Sequence, residues 1–415
     1  MTPAGRADDR GFVAPGATLG VVGGGQLGRM FAQAAQRAGY AVAVLDPAAD
    51  GPAARVADRH VRGAYDDPAA IDELAAAVVA ATTEFENVPA ATLDRLAGRV
   101  RVAPAGRAVA VCQDRAAEKA AFVAAGLAVA PHAVLVDDAD VARARADATL
   151  FPAILKTARL GYDGKGQAAV VRGDDLAAAF DSLGGVPCVL ERRLALVAEV
   201  SVIVARGADG SAVHLPVQDN VHADGILFAT RVPSARPEAL QQEAVALAMR
   251  MAASLDYVGV LCLECFVVES AGGFALVANE MAPRPHNSGH HTIESCDVSQ
   301  FELQWRAMTG APLVTPRLVA PAVLLNLLGD LWRDGVPDWA SLLAIPGAHL
   351  HLYGKAEARP GRKMGHLTLT ATTADAAMAL ARDAARAIGL DPTPLDRLGA
   401  AIGSHGSGRS GAGRP

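Results

Sequence analysis

Two lysines fall within fourteen residues, Lys156 and Lys165 of ILKTARLGYDGKGQ (154–167), in a chain that otherwise avoids lysine, holding five against thirty-three arginines. A compact ammonium on a flexible stem enters a crowded phosphate pocket where a planar guanidinium fits poorly. Gly161, Gly164 and Gly166 free the backbone to approach an anion, and Tyr162, Asp163, Lys165 and Gln167 complete the loop. This is not a Walker loop, because no G-K-[ST] opens a helix: Lys156 precedes the loop on a strand and Gln167 starts another. The bland reading is a glycine-rich hairpin with a solvated lysine; the chemical reading is a cradle for a triphosphate.

A second constellation lies in CLECFVVESAGGFALVANE (262–280), two apolar strands around an S-A-G-G turn, which reads as a hairpin. One register sets Glu264 directly opposite Glu280, with Asn279 beside them; the neighbouring register sets Glu264 opposite Asn279. Either way the carboxylates are neighbours, and like charges about 5 Å apart across a hairpin are destabilising unless a cation lies between them. Hard divalent ions, Mg²⁺ above all with Mn²⁺ as the substitute, use one or two carboxylates plus phosphate oxygens. Solvent-facing acids on an edge hairpin are the alternative. The following MAPRPHNSGHHT (281–292) crowds Arg284, His286, Asn287, Ser288 and His290 into one loop, a donor cluster suited to a reacting anion. Chelation by His286 and His290 would need a helix, which Pro285 and Gly289 oppose.

Weaker signals surround these. In VLERRL (189–194), an apolar strand ends on Glu191, with Glu199 soon after; apolar walls and a carboxylate suit an adenine and its ribose, although surface charge is the default. YGKAEARPGRKMGH (353–366) gathers Lys355, Arg359, Arg362 and Lys363 about a P-G turn, either a solvated basic turn or a phosphate receptor. A G-x-G-x-x-G at Gly23, Gly25 and Gly28 follows a strand and opens a helix, with Asp46 ending the next strand. It fits a dinucleotide site, a phosphorylated substrate near Gln26, or simply a tight turn with close helix packing. The five cysteines read as buried thiols; Cys262 and Cys265 are three apart on a strand and point to opposite faces, which excludes a C-x-x-C metal or redox site.

The elements that must position these groups follow from patterning. From Thr18 to about Val111, short apolar runs alternate with alanine-rich segments, the pattern of a parallel sheet wrapped by helices. A helix capped by Asp114 carries Arg115, Glu118 and Lys119 as far as Gly126. A small strand and helix unit covers about 133–194, longer strands run to Glu280, and SQFELQWRAM forms a closing helix. The 415 residues thus divide into a Rossmann-like N-terminal domain at 17–112, a central domain at 113–316 and a small α+β domain at 317–400. Low-complexity tails at 1–16 and 401–415 are expected to be disordered. A net charge of -6 offers no field for nucleic acid, and no apolar run approaches the roughly 18 residues needed to span a membrane. The first residues lack the apolar core of a signal peptide, so the expected compartment is the cytoplasm.

In combination, GGGQLGRM, the DR at 114, GYDGKGQ, Glu199, QDNVHADGI, GVLCLECF, NEMAPRPHNSGHHT, SQFELQ and ARPGRKMGH resemble the ATP-grasp superfamily. Within it they are similar to the N5-carboxyaminoimidazole ribonucleotide synthetase family, the ATPase subunit of phosphoribosylaminoimidazole carboxylase, over about residues 18–370. The resemblance implies an α/β ATP-grasp fold whose lid at 133–194 moves. It also implies that ATP phosphorylates bicarbonate to carboxyphosphate, which carboxylates the 5-amino group of aminoimidazole ribonucleotide in purine synthesis. By that resemblance Arg115, Lys156 and the loop 161–167 attend the phosphates. Glu191, Arg192, Arg193, Leu194 and Glu199 form the adenosine pocket, with His222 nearby. Glu264 and Glu280 hold magnesium with Asn279 beside them, and Arg284, His286 and Asn287 surround bicarbonate. Lys355 and Arg362 resemble the ribonucleotide's phosphate site, with Gln26, Leu27 and Glu84 also facing substrate. The family suggests a homodimer. The competing readings are another ATP-grasp ligase, such as a formate-dependent glycinamide ribonucleotide transformylase, a dehydrogenase using only the first domain, and a catalytically silent regulator.

Overall fold

Apolar runs of four to six residues between alanine-rich helices build the first sheet. In a computed structural model that describes residues 11–161 and 166–399, five parallel strands lie in the order Arg59–Arg62, Ala41–Asp46, Thr18–Val22, Ala80–Thr83, Arg101–Val102. Leu19, Val21 and Val22 on the central strand are fully buried, as a strand covered on both faces requires. Residues 11–16, which composition alone put in a disordered tail, belong to the fold. Val13 is buried in the first core, its N–H donates to the Thr309 carbonyl at 2.8 Å, and its carbonyl accepts from the Tyr40 hydroxyl at 2.7 Å. One apolar side chain and two hydrogen bonds anchor what a glycine- and proline-rich composition disguises. Residues 1–10 and 400–415, the rest of the two expected tails, lie outside the described residues.

The helix Arg115–Ala124 begins where the sequence places it, Asp114 accepting from the N–H groups of Ala116 and Ala117, and ends at Gly126 with φ +75°. It leads into a four-stranded antiparallel sheet, ordered His132–Leu135, Cys188–Arg192, Ala153–Thr157, Gln167–Val170, which packs on the helices Asp138–Ala146 and Leu176–Ser182 around its own small core. Strand Ala153–Thr157 therefore carries Lys156 beside strand Cys188–Arg192, which carries Glu191.

The third sheet is the largest, with nine strands. From one edge run Gly273–Ala282, Gly259–Ser270, Leu196–Arg206, Gln218–Ala223 and Ile226–Val232, and the sheet then continues through Ala322–Leu328, Lys363–Thr370 and Ala348–Leu352; the ninth strand, Ala212–His214, pairs with Leu196–Arg206 off this path. Ala229 pairs with Leu325, so the small C-terminal unit extends the central sheet. One face of the central strands, including Val200, Val202 and Val204, packs on the helix Glu238–Ser254. On the other face Ile203, Cys262 and Ala282 meet Leu303 of the helix Gln300–Thr309. Cys262 and Cys265 accordingly lie in different cores, as strand alternation requires.

The hairpin Gly259–Ser270/Gly273–Ala282 uses both registers that the sequence allows. Glu264 faces Glu280 directly; beyond a bulge, Cys265 faces Ala278, which leaves Asn279 as the extra residue.

Candidate active site

A cleft of about 350 Å³ opens where the three sheets converge. Arg115, Lys156, Gly161, Gln167, Glu199, His222, Glu264, Asn279, Glu280, Arg284, His286 and Asn287 all line it. These positions span much of the chain, and the fold brings them to one wall or another of a single cavity. Tyr162, Asp163, Gly164 and Lys165 lie outside the described residues.

On the lid side, Lys156 Nζ lies 3.1 Å from Glu191 Oε2, and the buried Lys119 ammonium approaches the same oxygen at 3.4 Å. Burial alone would raise the Glu191 carboxyl, but the two ammonium groups overcome it and hold the acid below its ordinary range. Lys119 also donates to the carbonyl of the bulged Asn279 at 2.8 Å. Of the expected adenosine-pocket residues only Glu199 lines the cleft: Glu191 is buried against the two lysines, Arg192 and Arg193 are exposed and Leu194 is half-buried. The Arg193 N–H donates to the Pro152 carbonyl at 2.8 Å, so the backbone after Glu191 is tied to the lid sheet.

The carboxylate wall is organised from behind. Arg115 reaches Glu280 Oε2 at 3.4 Å and the Gly161 carbonyl at 3.4 Å. Glu118, one helical turn on, accepts from the Met281 N–H at 2.7 Å. Burial, reinforced by the nearby Glu280 charge, pushes the Glu118 carboxyl up to about 8. Across the hairpin, Glu264 Oε1 lies 3.0 Å from His286 Nε2. Burial would raise Glu264, yet His286 and His222 hold it below the usual carboxylate range. Glu199 Oε2 stands 2.7 Å from His222 Nδ1; burial would depress that imidazole, and the carboxylate reverses the effect.

The loop after this strand is held by the helix Gln300–Thr309. Gln300 Oε1 accepts from the His286 N–H at 2.7 Å, and its Nε2 donates to the His286 carbonyl at 2.8 Å, as a paired strand would. Arg284 Nε is bound to Glu86 Oε2 at 2.5 Å; burial would raise that acid, but the guanidinium drives it down to about 2. Both polar side-chain atoms of Asn287, and Oδ1 of Asn279, are buried with no hydrogen-bond partner in the protein. Such atoms at a cleft wall are where a bound polar group is needed.

None of the expected substrate residues Gln26, Leu27, Glu84, Lys355 and Arg362 lines this cleft. Glu84 is buried beneath the N-terminus of the helix Gln26–Arg37 and accepts from the Gly25 N–H. A Cβ at Gly25 would lie 2.0 Å from Glu84 Oε1, and one at Gly24 would lie 2.5 Å from Asp46 Cγ. The glycines thus admit the protein's own carboxylates. Asp46 is fully engaged, accepting from the Gly24 N–H at 2.6 Å, the Ala48 N–H at 2.8 Å and the Tyr65 hydroxyl at 2.6 Å, which removes the dinucleotide reading. Leu27 is buried and Gln26 half-buried. Lys355 Nζ donates to the Lys363 carbonyl at 2.7 Å, and Arg362 Nη1 to that of Glu357 at 2.9 Å; neither lines the cleft, whereas Lys363 does.

Lys363, one of the basic group about the P-G turn, does line the cleft, whereas the sequence assigns no role to Glu86, Glu118 or the apolar Ile154, Leu196, Leu227 and Phe266, which line it too. Glu86 stands two residues after Glu84, and Glu118 lies one turn beyond Arg115, so helical spacing could have found the second. The apolar walls carry no signal beyond belonging to strands.

A lid sheet, a central sheet and a cleft between them, lined by lysine, arginine and facing carboxylates, define an ATP-grasp protein. Three family descriptions cover the chain in turn: the ribonucleotide synthetase preATP-grasp domain at 16–113, the ATP-grasp domain at 120–301 and the phosphoribosylaminoimidazole carboxylase C-terminal domain at 322–380. The chain belongs to the N5-carboxyaminoimidazole ribonucleotide synthase family. The synthase of Brucella melitensis is 44% identical over 362 residues, 87% of this chain and 98% of that one. The synthase of Bacillus subtilis is 40% identical over 357 residues, 86% and 92% of the two chains. Among solved structures, the Aspergillus clavatus synthase in complex with ADP and 5-aminoimidazole ribonucleotide matches with a TM-score of 0.81 at 32% identity, covering 90% of this chain and 98% of that one.

Proposed function

We propose that this chain carboxylates the 5-amino group of 5-aminoimidazole ribonucleotide, using ATP and bicarbonate by way of carboxyphosphate, as a step of purine synthesis. The observation that carries the reading is the facing pair Glu264 and Glu280 in one cleft with Lys156, Arg115 and the Arg284–Asn287 loop. Phosphoryl transfer asks a protein chiefly for positioning and neutralised charge, and this cleft offers both cations and carboxylates.

Adenine lies against Ile154, Leu196, Leu227 and Phe266, with Glu199 and His222 towards the ribose. Lys156 and Arg115 neutralise phosphate oxygens, Lys156 exchanging Glu191 for the phosphate while Lys119 keeps Glu191 compensated. Arg284, fixed by Glu86, and His286 and Asn287 orient bicarbonate for attack on the γ-phosphorus. They then hold the carboxyphosphate, whose carbon receives the amine as its bond to phosphate oxygen breaks, inorganic phosphate leaves and the amine gives up a proton. Glu84, Lys355 and Lys363 lie on the ribonucleotide side. The lid at 133–194 closes over the cleft and excludes water, which would destroy the intermediate.

The donor set fits magnesium: two carboxylates face each other across the ladder, beside an unpartnered amide oxygen of Asn279. Glu264 and Glu280 would hold the ion, with Mn²⁺ as substitute, and when bound it supplies positive charge to the phosphate oxygens. By family analogy the chain acts as a cytoplasmic homodimer; no helix among the described residues is long and apolar enough to cross a membrane.

The test is ADP release by purified protein given ATP, Mg²⁺, bicarbonate and aminoimidazole ribonucleotide. Release should depend on the ribonucleotide; equal release without it, or release only with formate and glycinamide ribonucleotide, refutes the assignment. Glu280→Gln should fold normally and lose most turnover, and near-normal turnover would remove Glu280 from the site.

A further inference from the structure

Cys262 has no part in this chemistry, yet it lies two residues before Glu264 on the strand Gly259–Ser270. Strand alternation turns both side chains to one face. The Cys262 sulfur, a carboxylate oxygen of Glu264 and a ring nitrogen of His286 all lie within 4.8 Å of one another. His286 presents Nε2 to Glu264, and its Nδ1 rests 2.9 Å from Ser288 Oγ. An outer hydrogen bond of this kind fixes ring orientation in metal-binding histidines.

We propose that Cys262, Glu264 and His286 form a site for zinc-class divalent ions, and that zinc bound there competes with the magnesium of the cleft. Thiolate, imidazole and carboxylate are the donors zinc takes, whereas magnesium prefers oxygen alone. Around tetrahedral zinc, about 2.3 Å from sulfur and about 2.0 Å from nitrogen or oxygen, neighbouring donors stand roughly 3.5 Å apart. Glu264 and His286 already stand 3.0 Å apart, so the sulfur must approach them by about 1.3 Å at most, a movement within the range of small side-chain rotations. Water or Glu280, directly across the ladder from Glu264, completes the set.

The thiol is buried in an apolar layer and, by that burial and the adjacent Glu264, holds its proton more tightly than an ordinary cysteine. A bound ion replaces that proton, as metal binding to thiols generally does. Glu264 and His286 line the cleft while Cys262 lies directly behind Glu264, so the cleft is the entry path. Zinc seated here withdraws both Glu264 and His286 from the roles proposed above. The competition rests on reading Glu264 as a magnesium ligand; the zinc site itself does not.

The experiment titrates the intact, tag-free chain with Co²⁺, a spectroscopic stand-in, and separately assays ADP release with Zn²⁺ added at fixed Mg²⁺. Wild type should show a thiolate-to-cobalt charge-transfer band that Zn²⁺ abolishes, and zinc inhibition that excess Mg²⁺ relieves. Cys262→Ala should lack the band, turn over normally without zinc, and need at least ten-fold more zinc for half inhibition. Cys112→Ala, the other thiol near the cleft, should behave as wild type. Absence of the band in wild type, or its persistence in a folded Cys262→Ala chain, overturns the site. A Cys262-dependent band without inhibition overturns the competition, and with it Glu264's assignment as a magnesium ligand.

Discussion

Glu84 shows how far a residue's role depends on neighbours that sequence does not reveal. Its position after an apolar strand marks it as a candidate, but only the fold shows its carboxylate beneath a helix N-terminus, receiving the Gly25 N–H. Burial dominates over that hydrogen bond and pushes the acid up to about 7, from an ordinary 4.5. Between those two values the unfolded chain releases a proton that the folded chain keeps, so stability falls as pH rises through this window. Converted at 1.36 kcal/mol per unit, the loss is about 3 kcal/mol, complete just above pH 7. Glu84→Gln keeps the acceptor and removes the charge. Urea unfolding of the ligand-free protein should therefore find the variant more stable at pH 8 by up to about 3 kcal/mol and little changed at pH 5; a gain independent of pH would refute the account. The residues that sequence did identify, Arg115, Lys156, Glu264, Glu280 and the Arg284–Asn287 loop, are those whose chemistry conflicts with an apolar or alanine-rich setting. Ile154, Leu196, Leu227 and Phe266 conflict with nothing, and their place in the cleft is set by tertiary structure alone.

At the scale of elements, the hairpin carries most of the site, and its bulge is what the sequence left open. Either register alone would have kept the carboxylates adjacent. The bulge combines both, setting Glu264 against Glu280 while releasing the Asn279 carbonyl from its turn in the ladder. Lys119 takes that carbonyl and also approaches Glu191, so one buried ammonium joins three elements: the helix Arg115–Ala124, the lid strand Cys188–Arg192 and the strand bearing Glu280. Burial lowers the Lys119 pKa, and Glu191 counteracts part of that loss. Lys119→Met removes the donor, leaving the Asn279 carbonyl unpaired at a cost of about 2 kcal/mol. It also leaves Glu191 to Lys156 alone. Lys156 should then leave its carboxylate less readily, so ADP should bind more weakly by about ten-fold, equivalent to about 1.4 kcal/mol, while adenosine, which lacks phosphates, should bind as before. Calorimetric titration of both ligands separates this from general damage to the lid, which would weaken the two equally.

For the whole molecule, the sequence shows where chemistry and composition change but not which strands pair across those changes. The segment from about 317 reads as its own small domain because its strands follow a loop and its chemistry is different. In the fold, Ala322–Leu328 lies between Ile226–Val232 and Lys363–Thr370, so both of its edges are paired and the nine-stranded sheet is uninterrupted. Such pairing links residues nearly a hundred positions apart, which no local pattern records. A comparable link joins the first sheet: Gln304 Oε1 accepts from the Val260 N–H at 2.7 Å, while its Nε2 donates to Thr82 Oγ1 at 2.8 Å. Lys363 enters the cleft from the third unit because of this continuity, which gives the C-terminal segment a share in the site. Leu325, fully buried at the seam opposite Ala229, tests the argument. Leu325→Ala should cost about 3 kcal/mol by cavity formation. Because the seam is one sheet, the loss should lower the unfolding midpoint of the central unit as well as that of the C-terminal unit. Two fluorescent reporters, one near Trp332 and one near Tyr257, should therefore follow a single transition that shifts in both. If only the C-terminal reporter shifts, the two units unfold independently and the continuous sheet is not what couples them.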